Sequence, residues 1–346
     1  MAQPALLRRG LINVTQWRPI VNKRQLLVGS LASMALGKLG ASWAQASNYP
    51  NRSIHLLVPS EAGGGTDFTA RTIGLKLSEL LGQSLVVENR PGAAGNIGVE
   101  QGARAAPDGY TLVMPITSLP MSPWLYPKLS WDPVKDLSPI ILACAAPLIM
   151  VVNPQVPANN VQEFIALAKK QPDQLNYANS GNGTTAHLAG ELFKKMANIK
   201  MESVNYKGGG SSVIDTVAGR VQMYFSTIPA ALPHLKSGKL RALAVTSKHR
   251  VEMVPDVPTV DESGLPGFEV VGWFGIFAPT GTPKHVIVKL NETINVVLKM
   301  PDIQTRLARQ GLIPGGGTPE DLRDLLNADL NKWGKLIKEI GIKTTE

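Results

Sequence analysis

The chain has 346 residues and a formal net charge of +9, from 35 basic and 26 acidic side chains. Six of the basic residues and none of the acidic ones lie within positions 1–46, which leaves +3 on the 300 residues that follow. This nearly neutral charge gives no electrostatic basis for nucleic-acid binding, so we expect no nucleic-acid partner. The single cysteine, Cys144, excludes an intrachain disulfide.

The N-terminal segment has the organisation of an export signal. Basic residues precede an apolar stretch over 26–36, which is too short to span a bilayer. An A-x-A cleavage pattern ending at Ala46 follows. This combination predicts a signal peptide over residues 1–46, cleaved near Ala46, and a soluble periplasmic protein after it. A permanent N-terminal membrane anchor is the alternative, and Lys23-Arg24 leaves both Sec and twin-arginine export open.

After position 46, the sequence alternates between strand and helix patterns. Apolar residues recur at three- and four-residue spacing in the predicted helices, while short apolar or alternating runs mark the predicted strands. Strands are expected at 54–59, 85–88, 111–116, 175–178, 221–225, 240–245 and 268–277, and helices at 67–81, 161–170 and 187–197. Thr282-Pro283 and Thr318-Pro319 each combine an N-cap with proline at N1 and predict two further helices. The alternation predicts an α/β fold with mostly parallel sheets flanked by helices, in which ligands bind beyond the carboxyl ends of the strands.

Two strand-to-helix junctions, at 58–67 and 176–187, are rich in glycine and small hydroxyl residues. At a helix N-terminus the first backbone N–H groups lack partners and the helix dipole is positive, which favours an anion. We therefore predict a clamp for a small carboxylate. Its candidate ligand-binding residues are Ser60, Ala62, Gly63, Gly64, Gly65, Thr66 and Asp67 in the first junction, Asn179, Ser180, Gly181, Gly183, Thr184, Thr185 and His187 in the second, and Ser118, Lys207 and Ser226 elsewhere.

Structural roles compete with ligand contact at these positions. The glycines could serve only a turn with φ > 0, and side chains such as Thr66, Asp67 and Thr184 could only cap helices. His187 could be a packing residue, and Lys207 could be a solvated loop charge.

The sequence contains no recognisable catalytic motif. It lacks a G-x-S-x-G elbow, a P-loop and an H-E-x-x-H pattern. Its five histidines are scattered without the spacing of metal ligands, and Gly92, Gly95 and Gly98 lack the full dinucleotide fingerprint. We therefore expect no enzyme activity, no metal and no cofactor. A secreted enzyme whose site is assembled only in the fold is a less favoured alternative.

The run Glu88-Asn-Arg-Pro-Gly-Ala-Ala-Gly-Asn-Ile-Gly98, followed by Ala106-Pro-Asp-Gly-Tyr-Thr-Leu112, resembles the signature of the Bug-type periplasmic solute receptors. These are the binding components of tripartite tricarboxylate transporters. Further matching motifs follow in the expected order, so the resemblance covers essentially the whole chain after the signal peptide. They lie at 131–137, 177–193, 206–210, 232–244, 257–264 and 273–279.

The resemblance implies a two-domain periplasmic-binding-protein fold, or Venus flytrap, whose cleft closes on one small molecule. We place domain 1 at 47–148 plus 270–346 and domain 2 at 149–269, with chain crossings near 147–153 and 267–272. The resemblance also implies delivery of the ligand to membrane permease subunits, and we expect the receptor to be a monomer. A sensor that presents its closed form to a membrane sensor protein is the alternative.

Three positions depart from the pattern of the family. Ser60 stands where an aromatic residue is common, Glu61 where a small residue is common, and Ser226 where an acidic residue is common. The change at Ser226 removes a candidate partner for a ligand ammonium group. Together the departures favour a plain carboxylate over an amino acid.

Overall fold

The computed structural model describes residues 49–342, so the predicted signal peptide lies outside the described residues. The ten strands in this part of the chain are β1 (Ile54–Val58), β2 (Leu85–Asn89), β3 (Thr111–Val113), β4 (Leu137–Val152), β5 (Asn176–Asn179), β6 (Glu202–Asn205), β7 (Met223–Thr227), β8 (Arg241–Val245), β9 (Val271–Pro279) and β10 (Ile313–Gly316). The ten α-helices are α1 (Gly65–Leu81), α2 (Asn96–Ala103), α3 (Ser122–Leu125), α4 (Val161–Lys170), α5 (Thr185–Ala197), α6 (Gly209–Val217), α7 (Ile228–Lys236), α8 (Lys284–Leu298), α9 (Pro301–Ala308) and α10 (Pro319–Ile340). The predicted α/β alternation is confirmed, and the periodicity over 161–170 matches α4 at both ends.

The strands form a mixed sheet in the order β2-β1-β3-β9-β4-β7-β5-β6, with β8 and β10 also paired to β4. Pairing is parallel toward both outer ends, where β1 lies between β2 and β3 and β5 lies between β6 and β7. In the centre, every pair that involves β4 or β9 is antiparallel. The expected parallel character is therefore confined to the two ends, because β4 and β9 run against their neighbours.

Strand β4 runs through both parts of the sheet. Its residues up to Pro147 pair with β9, and its residues from Leu148 pair with β7 and β8. Strand β9 begins at Val271, directly opposite Pro147. We refer to 54–147 with 271–340 as the first half and to 148–270 as the second half. Both connections between the halves thus lie side by side in one antiparallel pair.

The C-terminal helix α10 packs against both halves. Its N-terminal part places Leu322 and Leu326 in a buried cluster with Trp273 of β9. Its C-terminal part places Trp333 and Leu336 in the large core of the second half. The domain boundaries predicted from the sequence put this whole helix with domain 1, whereas its last turns contact the core of the other half.

Two predicted helix starts differ in outcome. At α10, the predicted N-cap is confirmed: the Thr318 hydroxyl accepts a hydrogen bond from the Asp321 N–H, and the Asp321 carboxylate accepts one from the Thr318 N–H. The predicted N-cap at Thr282 is wrong, because α8 starts one residue later with Pro283 as its N-cap. The Thr282 hydroxyl instead donates to the carbonyl of Pro279 at 2.8 Å.

Within residues 49–342, none of the helices combines the length and the apolar character needed to cross a membrane.

Candidate functional site

The first glycine-rich loop connects β1 to α1. Gly63 has φ 88°, so it needs the left-handed conformation that glycine adopts without strain. Gly64 is the N-cap of α1 and has φ −76° and ψ 170°, an extended conformation open to any residue. A Cβ at Gly64 would have only the Glu61 carbonyl oxygen nearby, at 3.8 Å. Of these two glycines, only Gly63 is required by the turn itself.

Asp67 holds this loop in place from inside the first turn of α1. Its carboxylate accepts hydrogen bonds from the Gly63 N–H at 3.0 Å, from Arg71 Nε at 3.0 Å and from Asn89 Nδ2 at 3.0 Å. Burial raises the pKa of the Asp67 carboxyl, but the bonds from Arg71, Gly63 and Asn89 outweigh burial and hold the pKa below its ordinary value. The Asp67 carboxylate therefore stabilises the loop, and Arg71 neutralises its charge.

The second glycine-rich loop connects β5 to α5 and is also braced by its own side chains. Asn179 Oδ1 accepts a hydrogen bond from the Gly181 N–H at 2.8 Å, and His187 Nδ1 accepts one from the Gly183 N–H at 3.1 Å. Gly181 and Gly183 have φ 128° and 72°. Burial lowers the pKa of His187. The histidine thus acts as a neutral acceptor for the loop.

Thr184 is the N-cap of α5, and its hydroxyl accepts a hydrogen bond from the His187 N–H at 3.3 Å. The capping role considered for Thr184 from the sequence is confirmed. The Ser180 hydroxyl donates to Thr184 Oγ1 at 3.3 Å and so bonds to the N-cap of α5.

The two helix starts open onto one cavity of about 500 Å³ between the halves. The first backbone hydrogen bond of α1 runs from the Phe68 N–H to the Gly64 carbonyl, and that of α5 runs from the Leu188 N–H to the Thr184 carbonyl. In α5 the His187 N–H donates to the Thr184 hydroxyl, and the other N–H groups that precede these donors have no backbone acceptor within their own helix. Beside the cavity, the Thr185 hydroxyl of the second half donates to Thr117 Oγ1 of the first half at 3.1 Å. Each half therefore presents a positive helix end to the same space.

The cavity is lined by neutral residues from both halves. Those with polar side chains are Thr66, Thr117, Ser180, Thr184, Thr185, Tyr224, Thr227 and Gln310. The others are Gly63, Gly64, Gly65, Phe68, Ile116, Ala146, Pro147, Leu148, Ala186, Phe225, Ile228, Pro229, Gly272, Phe274, Gly311 and Leu312. Among the residues that the structure describes, none with a charged side chain lines this space.

Seven of the predicted site residues lie in the lining, and ten do not. The seven are Gly63, Gly64, Gly65, Thr66, Ser180, Thr184 and Thr185. Those placed outside are Ser60, Ala62, Asp67, Ser118, Asn179, Gly181, Gly183, His187, Lys207 and Ser226. Asp67, Asn179 and His187 fall outside because their side chains bond to the loops. Ala62 and Lys207 are exposed to solvent.

Three of the predicted residues outside the lining are serines, Ser118, Ser226 and Ser60. The Ser118 carbonyl accepts hydrogen bonds from the N–H groups of Met121 and Ser122, so this residue starts a turn while its neighbour Thr117 faces the cavity. The Ser226 hydroxyl donates to the Thr227 carbonyl at 3.0 Å, and the side chain is fully buried. Ser60 Oγ is buried without a hydrogen-bond partner among the described residues.

Two aromatic residues of the lining were not predicted from the sequence. Phe225 lies next to the predicted Ser226 in β7, but its side chain is fully buried, and its ring packs in the core against Phe193 and Phe268, with centroids 5.9 Å and 6.1 Å away. Phe274 in β9 lies beside the start of α1, since a Cβ at Gly65 would be 3.4 Å from Phe274 Cζ. Alternation over 221–225 and an apolar run over 268–277 predicted strands, but nothing local to them indicated contact with a glycine loop.

This arrangement is suited to binding rather than to chemical transformation. Helix-terminal N–H groups and hydroxyls can hold an anion, and carbon surfaces can cover the rest of a small molecule. Within the described part of the chain, no group of three or more His, Cys, Asp or Glu side chains could hold a metal ion. The buried thiol of Cys144 lies away from the lining, and burial raises its pKa to about 12.

Comparison with known proteins agrees with this reading. Residues 69–342 match the family described as tripartite tricarboxylate transporter family receptor. The protein BugT of Bordetella pertussis (strain Tohama I) is 36% identical over 305 residues, which cover 88% of this chain and 94% of BugT.

Two solved structures are similar over nearly their whole length. A protein of R. palustris solved with adipate is 36% identical, with a TM-score of 0.74, and the match covers 86% of this chain and 100% of that one. MatC from Rhodopseudomonas palustris, solved with bound malate, is 33% identical, with a TM-score of 0.70 and coverage of 84% and 100%. The matched family and structures are substrate-binding receptors, not enzymes. The chain therefore belongs to the tripartite tricarboxylate transporter receptors, the Bug-type solute-binding proteins with a two-domain periplasmic-binding-protein fold.

Proposed function

We propose that this protein captures a small carboxylate in the cavity between its halves and delivers it to the membrane permease subunits of a tripartite transporter. One observation carries the proposal: the N-termini of α1 and α5, one from each half, open onto the same cavity. The carboxylates adipate and malate bound by two related receptors support the ligand class. The family, whose receptors serve tripartite transporters, supports delivery to a permease.

Capture would be coupled to domain closure. A ligand that contacts both Gly63–Thr66 and Ser180–Thr185 stabilises the arrangement in which the halves are close together, and this differential affinity drives closure. We place domain 1 at 47–148 plus 270–346 and domain 2 at 149–269. The adjacent crossings at Pro147 in β4 and Val271 in β9 are the natural hinge. Helix α10, which contacts both cores, would slide or bend during closure.

The cellular setting follows from the family and the leader sequence. The solved structures similar to this chain include BugD, which is described as a periplasmic binding protein. We therefore propose a periplasmic monomer, released by cleavage near Ala46. N-terminal sequencing of the exported protein tests this, with Ser47 expected as the first residue.

Calorimetry with purified residues 47–346 tests ligand capture. The titrants are hexanoate, adipate and malate, with adipamide and 1,6-diaminohexane as neutral and cationic analogues of adipate. We expect a carboxylate to bind and the two analogues to fail, because the cavity offers N–H donors at positive helix ends. Equal binding of adipamide would contradict anion recognition.

Delivery is tested by uptake of a radiolabelled ligand in cells that lack the gene for this receptor. We expect wild-type protein to restore uptake and a binding-defective variant not to do so. Normal uptake without the receptor, together with loss of a transcriptional response to the ligand, would instead indicate a sensor.

A further inference from the structure

We propose that the preferred ligand carries one carboxylate and an uncharged, apolar remainder, and that a second carboxylate weakens binding. This inference rests on the proposed function, since it specifies the carboxylate that the cavity takes. Two related receptors were solved with dicarboxylates, adipate and malate, so the proposed preference differs from the ligands in those two structures.

The charge of the cavity matches a single carboxylate. No charged side chain of the described residues lines the cavity, so the positive potential comes from the helix ends. Each helix N-terminus is equivalent to about half an elementary charge, and the two glycine-rich starts together match one carboxylate. Arg71 provides no additional charge, because it pairs with Asp67 at 3.0 Å outside the lining.

The third helix start at the cavity, that of α7, offers little to a second anion. Its second residue is Pro229, which has no N–H. Ile228 and Pro229 lie against the loop after α9, since a Cβ at Gly311 would be 3.2 Å from Ile228 Cβ and 3.3 Å from Pro229 Cδ. This helix start therefore presents carbon rather than a row of free donors.

Much of the cavity lining is carbon surface, which suits an apolar remainder. Phe274 lies beside the start of α1, so the carbons next to a carboxylate bound there would meet an aromatic ring. Leu148 and Leu312 add aliphatic surface to the same cavity. A second carboxylate placed against these groups would lose its hydration without gaining a cation, which is costly.

The test uses pairs of ligands that differ in one carboxylate. Calorimetry compares hexanoate with adipate and benzoate with terephthalate on the wild-type protein. We expect the monocarboxylate of at least one pair to bind at least tenfold more tightly than its dicarboxylate partner, with no pair reversed. Tighter or equal binding of the dicarboxylates would overturn this inference but would support carboxylate capture. If none of the four binds, the proposed function fails for these carboxylates and the inference fails with it.

A cation introduced into the cavity provides an independent check. Gln310 lines the cavity and is exposed, so Gln310→Lys should fold and should improve adipate binding relative to hexanoate by at least fivefold. Gln304→Lys, on an exposed position of α9 outside the lining, is the matched control and should leave the ratio unchanged. If Gln310→Lys leaves the ratio unchanged, or if both variants change it equally, charge matching does not select the ligand.

Discussion

Substituting Gly64 by valine tests whether the first glycine loop contacts the ligand through its backbone. Gly64 lines the cavity, has an extended backbone and has space for a Cβ, so Gly64→Val introduces carbon atoms without forcing φ into a strained region. The branched side chain would occupy the space in which a carboxylate approaches the N–H groups of α1. Loss of one charge-assisted hydrogen bond costs about 1.5–3 kcal/mol. We therefore expect Kd to rise by about 10–150-fold.

Gly208→Val is the matched control for this substitution. Gly208 is also the N-cap glycine of a helix, α6, and a Cβ there would have no neighbour within 4 Å. It does not line the cavity. Valine is a poor N-cap, so each variant should lose a similar stability of up to about 1 kcal/mol in thermal or urea unfolding.

The assay is calorimetry with the tightest carboxylate found for the wild type, with stability measured on the same samples. We expect Gly64→Val to bind the carboxylate weakly and Gly208→Val to bind it with wild-type affinity. Unchanged affinity in Gly64→Val would mean that this glycine does not contact the ligand. An equal loss in both variants would show that capping, rather than access of the ligand, controls affinity.

Four further predictions concern closure, the pH dependence of stability and of affinity, and the thiol. The double variant Ser180→Ala/Thr185→Ala removes two hydroxyls from the second half and with them the hydrogen bond to Thr117. It should lose ligand affinity by at least fivefold, and small-angle scattering should no longer show ligand-induced compaction. A wild type that binds ligand tightly without compaction would contradict closure. Burial lowers the pKa of His187 below its ordinary value of 6.5, so at lower pH the unfolded chain takes up a proton that the folded chain does not. The free energy of unfolding should therefore fall as the pH drops below about 6.5, and it should fall less in His187→Gln. Carboxylate affinity should stay constant between pH 6 and 8, because Tyr224 is the one ionisable side chain among the described residues of the lining and burial raises its pKa further above this range. A change of affinity within this range would implicate His187 or another ionisable group. Cys144 is fully buried with its pKa raised to about 12, so a thiol reagent should modify it only after unfolding, and rapid modification of the native protein would refute its placement.

The parts of this protein that depend on neighbours in the chain could be read from the sequence. Helix α4 and the cap at Thr318 are examples, because amphipathic spacing and a capping side chain act within one or two turns. The two glycine loops were found for the same reason: glycine and small hydroxyl residues between a strand and a helix are a local pattern. The order of several family motifs then identified the family, which the comparisons confirmed.

The loops illustrate the limit of local patterns. Asp67 and His187 are polar and lie close to the cavity, yet their side chains bond to loop N–H groups. A sequence shows that such a side chain can form hydrogen bonds, but the direction of the loop decides which partner it meets. The same limit applies to Ser226, a predicted site residue that lies outside the lining, whereas its neighbours Phe225 and Thr227 line the cavity.

The walls of the cavity and the connection between the halves were decided by tertiary structure. Phe274 reaches the start of α1 from more than 200 positions along the chain, and Thr117 meets Thr185 across 68 positions. The resemblance placed a chain crossing near 147–153, but the apolar run over 140–150 did not show that one strand, β4, would pair in both halves. The sequence also did not show that α10 would contact both cores. Sequence by itself therefore determined many of the elements, the helix start at Thr318 and the family, since these rest on contacts within a few residues or on motif order. The composition of the cavity was decided only when the sheet brought distant segments together, because burial and long-range pairing depend on the whole fold.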